Sequence, residues 1–390
     1  MSAGNAEGFV GGNLSGSGGP RDDVRILFLP RPADVVGSER TPSLYRLLSR
    51  RHVVVGMSAP RDRLIYDPTR SRLPRLALYA VDKALLFLWG VLLARRSRAT
   101  VVFCETAHHA LAGLAIARFL GISCVWDSHG NGRLFYKSLG KGAWSVRLIS
   151  FLEKFLGKRV DALITVSAFD AAAYSETGLD ASRIHVLPVC ISLREIDALL
   201  GASTDDGATA RKGRPVLLLV GSFGYEPNRD ALRWTNDFMA PELERRGIPC
   251  EIRIAGRNIP ELRFHPYVRP LGFVPDIYTC IRAADLCIVP VRRGVGMLTK
   301  VIDSMAVGTP VVMFDFATRG IPDLTDGIHA YVATTEEEFL RRVGRALSDP
   351  TATRAMSIRA RELVERNFDW DSHVAQLDAI VRGPSGSTGG

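Results

Sequence analysis

Strand-like and helix-like segments alternate along nearly the whole chain, which predicts an α/β protein made of two parallel-sheet domains. Two further observations carry that prediction. A small, polar, turn-rich stretch (GASTDDGATARKGRP, Gly201–Pro215) interrupts the pattern near its middle and reads as a linker. The length of 390 residues is too great for one ordinary core and suits two. A ligand cleft is expected between two such halves, where the carboxyl ends of the strands gather.

In order along the chain, residues 1–20 are rich in Gly, Ser and Asn and lack the apolar segment of a secretory signal, so they read as a disordered tail. A first domain follows over 21–200. Short apolar runs predict strands at Val24–Leu29, His52–Val55, Val101–Cys104, Cys124–Trp126, Ala162–Val166 and Ile184–Leu187. A helix is expected from Pro42, with Thr41 as its cap and Pro42 at the first helical position, where a missing N–H is harmless. Helical segments are also expected at Ala107–Leu120 and Val146–Leu156. The longest uncharged apolar run, Ala84–Ala94, is too short to span a bilayer. It reads as a core helix with solvated ends or, with Lys83, Arg95, Arg96 and Trp89, as a helix lying in a membrane interface.

After the linker at 201–215, a second domain is expected over 216–369. It opens with Val216–Val220, and further strands are predicted at Glu251–Ile254, Leu286–Val289, Pro310–Phe314 and Ala330–Val332. Helical patterns close the chain at Glu336–Leu347, Thr351–Arg366 and Trp370–Val381, before a second tail at 384–390.

Hydrophobic content of 46% with mixed charges marks a globular protein. The net charge of +9 favours anionic partners such as sugar nucleotides and phospholipid headgroups. No zinc-finger spacing or RNA-binding aromatic signature occurs, so nucleic acid ranks last. The six cysteines form no CxxC and lie mostly in apolar runs, which predicts reduced, buried thiols in a cytoplasmic protein.

The richest stretch is GVGMLTKVIDSMAVGTPVV, Gly294–Val312. Gly294 and Gly296 let backbone N–H groups approach a ligand. Thr299 is the expected N-cap of a helix running from Lys300 to about Val307. A first-turn lysine opposes the helix dipole unless an anion binds there; free N–H groups, dipole and ammonium then all favour phosphate. Asp303 lies one turn on, on the same face, suited to ribose hydroxyls. VGSFGYEPNRDAL, Val220–Leu232, is a strand, glycine turn and helix in which Gly221 and Gly224 free backbone amides for phosphate. Neither stretch is a GxGxxG or Walker A motif.

In VWDSHGNGR, Val125–Arg133, Asp127 and His129 project to the same side at a strand's carboxyl end. Either His129 donates to an oxyanion or a substrate hydroxyl, or Asp127 is a turn or cap residue and His129 a solvated loop residue. His108 and His109 open a helix near Glu105, where one lines the cleft or both serve as surface or cap residues. There is no HExxH, and the only DxD pattern singled out, Asp369–Asp371, opens a helix, so no metal site is expected. GxSxG is likewise missing.

VGSFGYEPNRDAL, EIRIAG (Glu251–Gly256), LGFVPDIYTCIRAADLCIVP (Leu271–Pro290) and GVGMLTKVIDSMAVGTPVV follow one another as in family-4 retaining glycosyltransferases, and the chain resembles that family over nearly all of Val216–Asp371. In the first half the likeness rests on VWDSHG and Ala162–Pro188; WDSHGNGR and KVID are also similar to mannosyltransferases that extend lipid-linked chitobiose. The resemblance implies a GT-B fold: two facing Rossmann-like domains, with Trp370–Val381 crossing back to the first. It implies that the second domain holds the nucleotide and the first the acceptor.

Carried over by position, Lys300 would contact the donor diphosphate and Asp303 the ribose, with Gly221 and Ser222 under the phosphates. Val274 would meet the base through its backbone, and Gly256 and Arg257 would border the nucleotide. Gly296, Met297 and Leu298 would present amides beside Thr299, and His129 would stand near the transferred sugar, with Asp127 and His109 on the acceptor side. The chain departs from the family in three ways. Val295 stands where the first paired glutamate is usual, Asp303 replaces the second, and GSFGY lacks the usual phosphate-binding arginine.

The expected activity is therefore metal-independent transfer of a hexose-type sugar from a nucleotide-diphosphate donor, which is a substrate and not a cofactor. The acceptor is a hydroxyl of a lipid-linked or polysaccharide glycan, reached from the cytoplasm through peripheral contact with the inner face of the membrane. The alternatives are a sugar-nucleotide epimerase of the same architecture and a catalytically silent nucleotide-binding protein.

Overall fold

A computed structural model describes residues 24–30, 40–56, 75–202, 213–294 and 297–383. The expected tails, most of the linker, Val295 and Gly296 lie outside the described residues. The chain divides into two compact units: Met1–Arg133, Gly142–Leu187 and His373–Gly390 form one, and Leu134–Lys141 with Pro188–Ser372 the other.

The elements begin with β1 (Arg25–Leu29), α1 (Arg40–Arg51), β2 (Val53–Gly56), α2 (Arg75–Ser97), β3 (Val101–Glu105), α3 (Thr106–Leu120) and β4 (Ser123–Ser128). Next come α4 (Gly132–Ser138), α5 (Ala143–Gly157), β5 (Ala162–Thr165), α6 (Ala168–Ser175) and β6 (Ile184–Val186). The six strands form one parallel sheet in the order β2-β1-β3-β4-β5-β6. Its strands are apolar on both faces, as helices on either side require. Leu27, Val102, Cys104 and Trp126 share one core with Leu86 of α2, Ala110 and Leu114 of α3 and Leu156 of α5.

The second unit continues with α7 (Leu193–Ala202), β7 (Val216–Val220), α8 (Glu226–Trp234), α9 (Ala240–Arg245), β8 (Glu251–Ala255), β9 (Val268–Gly272), α10 (Ile277–Arg282) and β10 (Leu286–Val289). It ends with α11 (Thr299–Ala306), β11 (Val311–Phe314), β12 (Tyr331–Ala333), α12 (Glu336–Ser348) and α13 (Pro350–Asn367). These strands make a second parallel sheet, β12-β11-β10-β7-β8-β9. Helix α7, read from sequence as the end of the first domain, packs with α10 of the second unit.

Several local readings need correction. Helix α1 starts at Arg40, ahead of its expected cap, because the Thr41 hydroxyl is turned to Glu105 instead of capping. β9 has no counterpart among the strands read from sequence; it contains Pro270 and shows three exposed residues, features that only an edge strand tolerates. The closing helix is a 3₁₀ turn, Trp370–His373, followed by α14 (Val374–Arg382). α14 packs on α1 in the first unit, burying Leu377, Ile380 and Val381. The described cysteines are free thiols, all buried except half-buried Cys280. No helix among the described residues is long and apolar enough to cross a membrane.

The fit of α14 is testable. Leu377 is 2% exposed, so Leu377→Ala is expected to lower the unfolding free energy by about 2–4 kcal/mol, measured by urea titration of the first unit's transition.

Candidate functional site

In the first unit, chemistry gathers at the carboxyl ends of β3 and β4. The Arg40 guanidinium donates to both Asp127 oxygens, Nε to Oδ2 at 2.9 Å and Nη2 to Oδ1 at 2.8 Å, and both residues are 0% exposed. Burial pushes the Asp127 carboxyl up, but the Arg40 charge and hydrogen bonds, with His129, hold it below its ordinary value. His129 Nε2 lies 3.3 Å from Glu105 Oε1 and 3.6 Å from Asp127 Oδ2. The Thr41 hydroxyl lies within hydrogen-bond reach of both Glu105 oxygens, at 3.0 and 2.8 Å. A half-buried imidazole thus faces two fully buried carboxylates.

The backbone is shaped to this arrangement. Thr106, next to Glu105, adopts φ +62°, a conformation that costs a β-branched residue about 1–3 kcal/mol. The turn after His129 is pinned from below by buried acids. Glu153 accepts from the amides of Gly132 and Arg133 and from the Tyr174 hydroxyl, and Asp170 accepts from the Asn131 amide. Burial raises the Glu153 carboxyl despite these bonds.

Glu105, Asp127 and His129 each offer a ligand atom, all within 4.8 Å of one another, and this is the set among the described residues able to hold a metal ion. Both Asp127 oxygens already accept from the Arg40 guanidinium, a buried positive charge beside the set that a cation would have to adjoin. His109 is 1% exposed, beside the Pro30 backbone and Lys83, and burial brings its pKa to about 3, so it is a neutral core imidazole. His108 is exposed.

In the second unit, the ends of β7 and β8 meet the start of α11. Lys300 Nζ donates to Asn228 Oδ1 at 2.8 Å, and Asn228 Nδ2 donates to the Ser222 carbonyl at 2.9 Å. Burial lowers the Lys300 pKa to about 8, with Asp303 opposing the shift. Asp303 Oδ1 accepts a 3.4 Å bond from the Tyr278 hydroxyl. At Gly256, φ is +147° and a Cβ would stand 1.7 Å from the Gly221 carbonyl oxygen, so glycine is required for the two loops to touch. Arg257 lies over the Phe273 ring, 4.5 Å from its centroid, and Val274 packs at the edge of the core.

Two expectations fail here. Thr299 is the first helical residue and not the cap: Leu298 takes the N-cap position and offers no side-chain bond, and α11 ends at Ala306. The Gly221 amide is already spent on the Ala255 carbonyl, so it does not face a ligand. Met297 is buried against Gly320 and shapes the loop from inside. Sequence reading missed Arg40, Asn228 and Tyr278, and noted Glu105 only as a neighbour. Arg40 and Asp127 are 87 positions apart, and no local pattern links them.

The Arg40–Asp127 pair yields a stability prediction with a definite sign. Arg40→Ala strands a buried carboxylate, and a loss of about 3–5 kcal/mol is expected near neutral pH. The folded Asp127 pKa is depressed, so its contribution is present above the ordinary carboxyl range and fades as pH falls through the folded value. Denaturation of both proteins between neutral and acid pH should show the gap closing below about pH 4.

Comparison with known proteins agrees with this architecture. Residues 23–190 match the family model for a glycosyl transferase 4-like domain, and residues 214–349 match the model for glycosyl transferases group 1. No curated protein sequence matches the chain. Among solved structures, sucrose-phosphate synthase from Thermosynechococcus elongatus superposes with a TM-score of 0.70 at 16% identity, covering 92% of this chain and 98% of its own. A UDP-forming α,α-trehalose-phosphate synthase from Burkholderia xenovorans gives 0.67 at 14% identity, covering 92% and 99%. Anabaena HepE in complex with UDP-glucose gives 0.63 at 14% identity, covering 91% and 98%. At these identities the structural likeness is one of fold, GT-B. With both family models in place along the chain, the protein belongs to the group 1 glycosyltransferases of the family-4 type and is a transferase enzyme.

Proposed function

We propose that this glycosyltransferase moves a sugar from a nucleotide-diphosphate donor to a hydroxyl of a lipid-linked or polysaccharide glycan, with retention of configuration and without a metal ion. The observation that carries the reading is Lys300. It is a cation held by burial at a pKa of about 8, bonded to a neutral amide, at the amino end of α11. A diphosphate there supplies the missing counter-charge.

In the proposed reaction the bond between the sugar's anomeric carbon and the donor phosphate oxygen breaks, and the acceptor oxygen bonds to that carbon. The acceptor proton passes to the departing phosphate oxygen. Lys300 and the first turn of α11, with amides of Met297, Leu298 and Thr299, stabilise the charge on the leaving group. Asp303, steadied by Tyr278, takes a ribose hydroxyl. Gly221 and Ser222 underlie the phosphates, Gly256 and Arg257 border the nucleotide, and Val274 meets the base through its backbone. Gly296 is assigned with its neighbours by position in the motif.

On the first unit, His129 serves the transferred sugar. Asp127 acts through Arg40 and His129, and Glu105 orients the same imidazole. Buried His109 supports the wall of the acceptor side. The positive charge of Arg40 beside Asp127 weakens the pull of this cluster on a cation and supports the metal-independent reading. The relatives solved with uridine nucleotides make UDP-sugars the first donors to try. The proposed setting is the cytoplasmic face of the membrane, with peripheral contact.

The test is nucleotide-diphosphate binding by calorimetry across pH 6.5–9.5 (about the Lys300 range), after a thermal-shift panel has chosen the base. Lys300 loses its proton as pH rises through about 8, so affinity should be flat below that value and fall by up to about tenfold per unit above it. Lys300→Met should weaken binding at neutral pH by about 10- to 100-fold and abolish the pH dependence. Binding unaffected by that substitution sinks the assignment. Interconversion of UDP-sugars with no acceptor present indicates the epimerase instead.

A further inference from the structure

The first unit has a face that neither sugar transfer nor folding explains. Helices α2, α3 and α5 lie side by side on one face of the first sheet, α2 against α3 and α3 against α5. Their outward surface is apolar and aromatic. On α5, Trp144 is 74% exposed, Leu148 52% and Phe151 69%. Their spacing puts all three on one stripe of the helix. Leu88 and Trp89 of α2 and Phe119 of α3 are each more than half exposed. The α2 and α3 portions join directly: Phe87 packs edge-on against Phe119, and the Arg95 guanidinium lies 5.5 Å from the Phe119 ring centroid.

The charges on these helices are sorted by sign. Their described carboxylates are Asp82 and Glu153, and both are buried. The cations Arg95, Arg96, Arg118, Arg147, Lys154 and Lys158 at or just beyond the helices are exposed. An apolar surface rimmed by one sign of charge selects an anionic partner and disfavours a second copy of itself. Aromatic and aliphatic residues flanked by long cationic side chains suit the boundary of an anionic lipid bilayer, where rings and stems enter the acyl region and charged heads stay among phosphates.

We propose that α5, with the adjoining outer surfaces of α2 and α3, is a membrane-docking face that seats the enzyme on anionic phospholipid. This deepens the proposed peripheral contact, and it rests on the glycosyltransferase reading only for its purpose, the capture of a lipid-linked acceptor. It moves the centre of that contact from the Ala84–Ala94 run to Trp144, Leu148 and Phe151. Docking is superficial, since none of the described helices is built to cross.

The test is co-flotation of the full chain with phosphatidylcholine vesicles, with and without about one third phosphatidylglycerol, at low and high salt. Binding is expected on the anionic vesicles alone and should weaken with salt. The double variant Trp144→Ala/Phe151→Ala and, separately, the charge reversal Arg147→Glu/Lys154→Glu should each reduce vesicle partitioning by more than about tenfold. Both should bind nucleotide diphosphate like the wild type, and wild-type far-ultraviolet circular dichroism with an unchanged first-unit unfolding transition reports that the substituted unit folds. Failure to float with anionic vesicles, equal flotation with neutral ones, or wild-type flotation by the double variant overturns the proposal. So does a wild-type dimer in sedimentation that the double variant converts to monomer, since the face would then be a protein interface. Loss of vesicle binding with donor binding intact defeats only this docking face. Vesicle binding without any nucleotide-diphosphate binding defeats only the proposed donor site.

Discussion

Both parallel sheets end in ionic groups drawn wholly or partly out of water, and the need to compensate those charges organises the two candidate sites. The solutions differ. In the first unit a guanidinium and a carboxylate, each with no exposure, satisfy one another through two parallel hydrogen bonds, and the carboxyl is held ionised against the effect of burial. In the second unit a half-buried ammonium has a neutral amide as its bonded partner. Asp303 relieves it only in part, and the proton is held more weakly than in free lysine. The first arrangement pairs its charges directly; in the second the opposing carboxylate, Asp303, does not offset the effect of burial on the ammonium.

The surroundings of each group follow from this difference. Around His129 the following turn is tied down: Glu153 and Asp170 hold it by its amides, and the Tyr174 hydroxyl joins Ser128 to Glu153. Such a loop presents an imidazole at a fixed orientation, backed by two carboxylates. Around Lys300 the backbone is instead brought unusually near. The loops after β7 and β8 meet at Gly221 and Gly256, where a side chain on Gly256 would strike the Gly221 carbonyl; the Gly221 amide bonds to Ala255 of β8 and the Gly256 amide to Gly272 of β9. This leaves the side chains of Lys300, Asn228 and Asp303 as the polar lining of that corner. GSFGY lacks an arginine, and the cation at this corner is Lys300, bonded to Asn228.

The charge distribution on the outside has a related logic. The first unit's outer helices bury their carboxylates and expose arginine and lysine beside aromatic rings. The net charge of +9 is therefore not spread evenly, and its local concentration has a direction that composition cannot reveal.

Much of the architecture was legible in the amino-acid order. The strands of each sheet except β9 appear as short apolar runs, because a strand covered on both faces must be apolar at successive positions. β9 escaped because an edge strand with Pro270 and an exposed middle carries no such signature. The glycine-flanked lysine, the Asp127–His129 spacing and the family motifs also stood in the sequence, since each is local. What local order could not contain is partnership across distance. Arg40 reaches Asp127 over 87 positions, Asn228 reaches Lys300 over 72, and Thr41 abandons its helix end for Glu105 over 64. Helix caps were misplaced for the same reason: a hydroxyl takes the strongest acceptor the fold brings to it, and at Thr41 that was a buried carboxylate. Local amino-acid order was enough to mark the segments that become strands, β9 apart, and the loops expected to carry chemistry. Which charges meet a charged partner and which a neutral one emerges only in three dimensions, because that depends on burial and on neighbours remote along the chain.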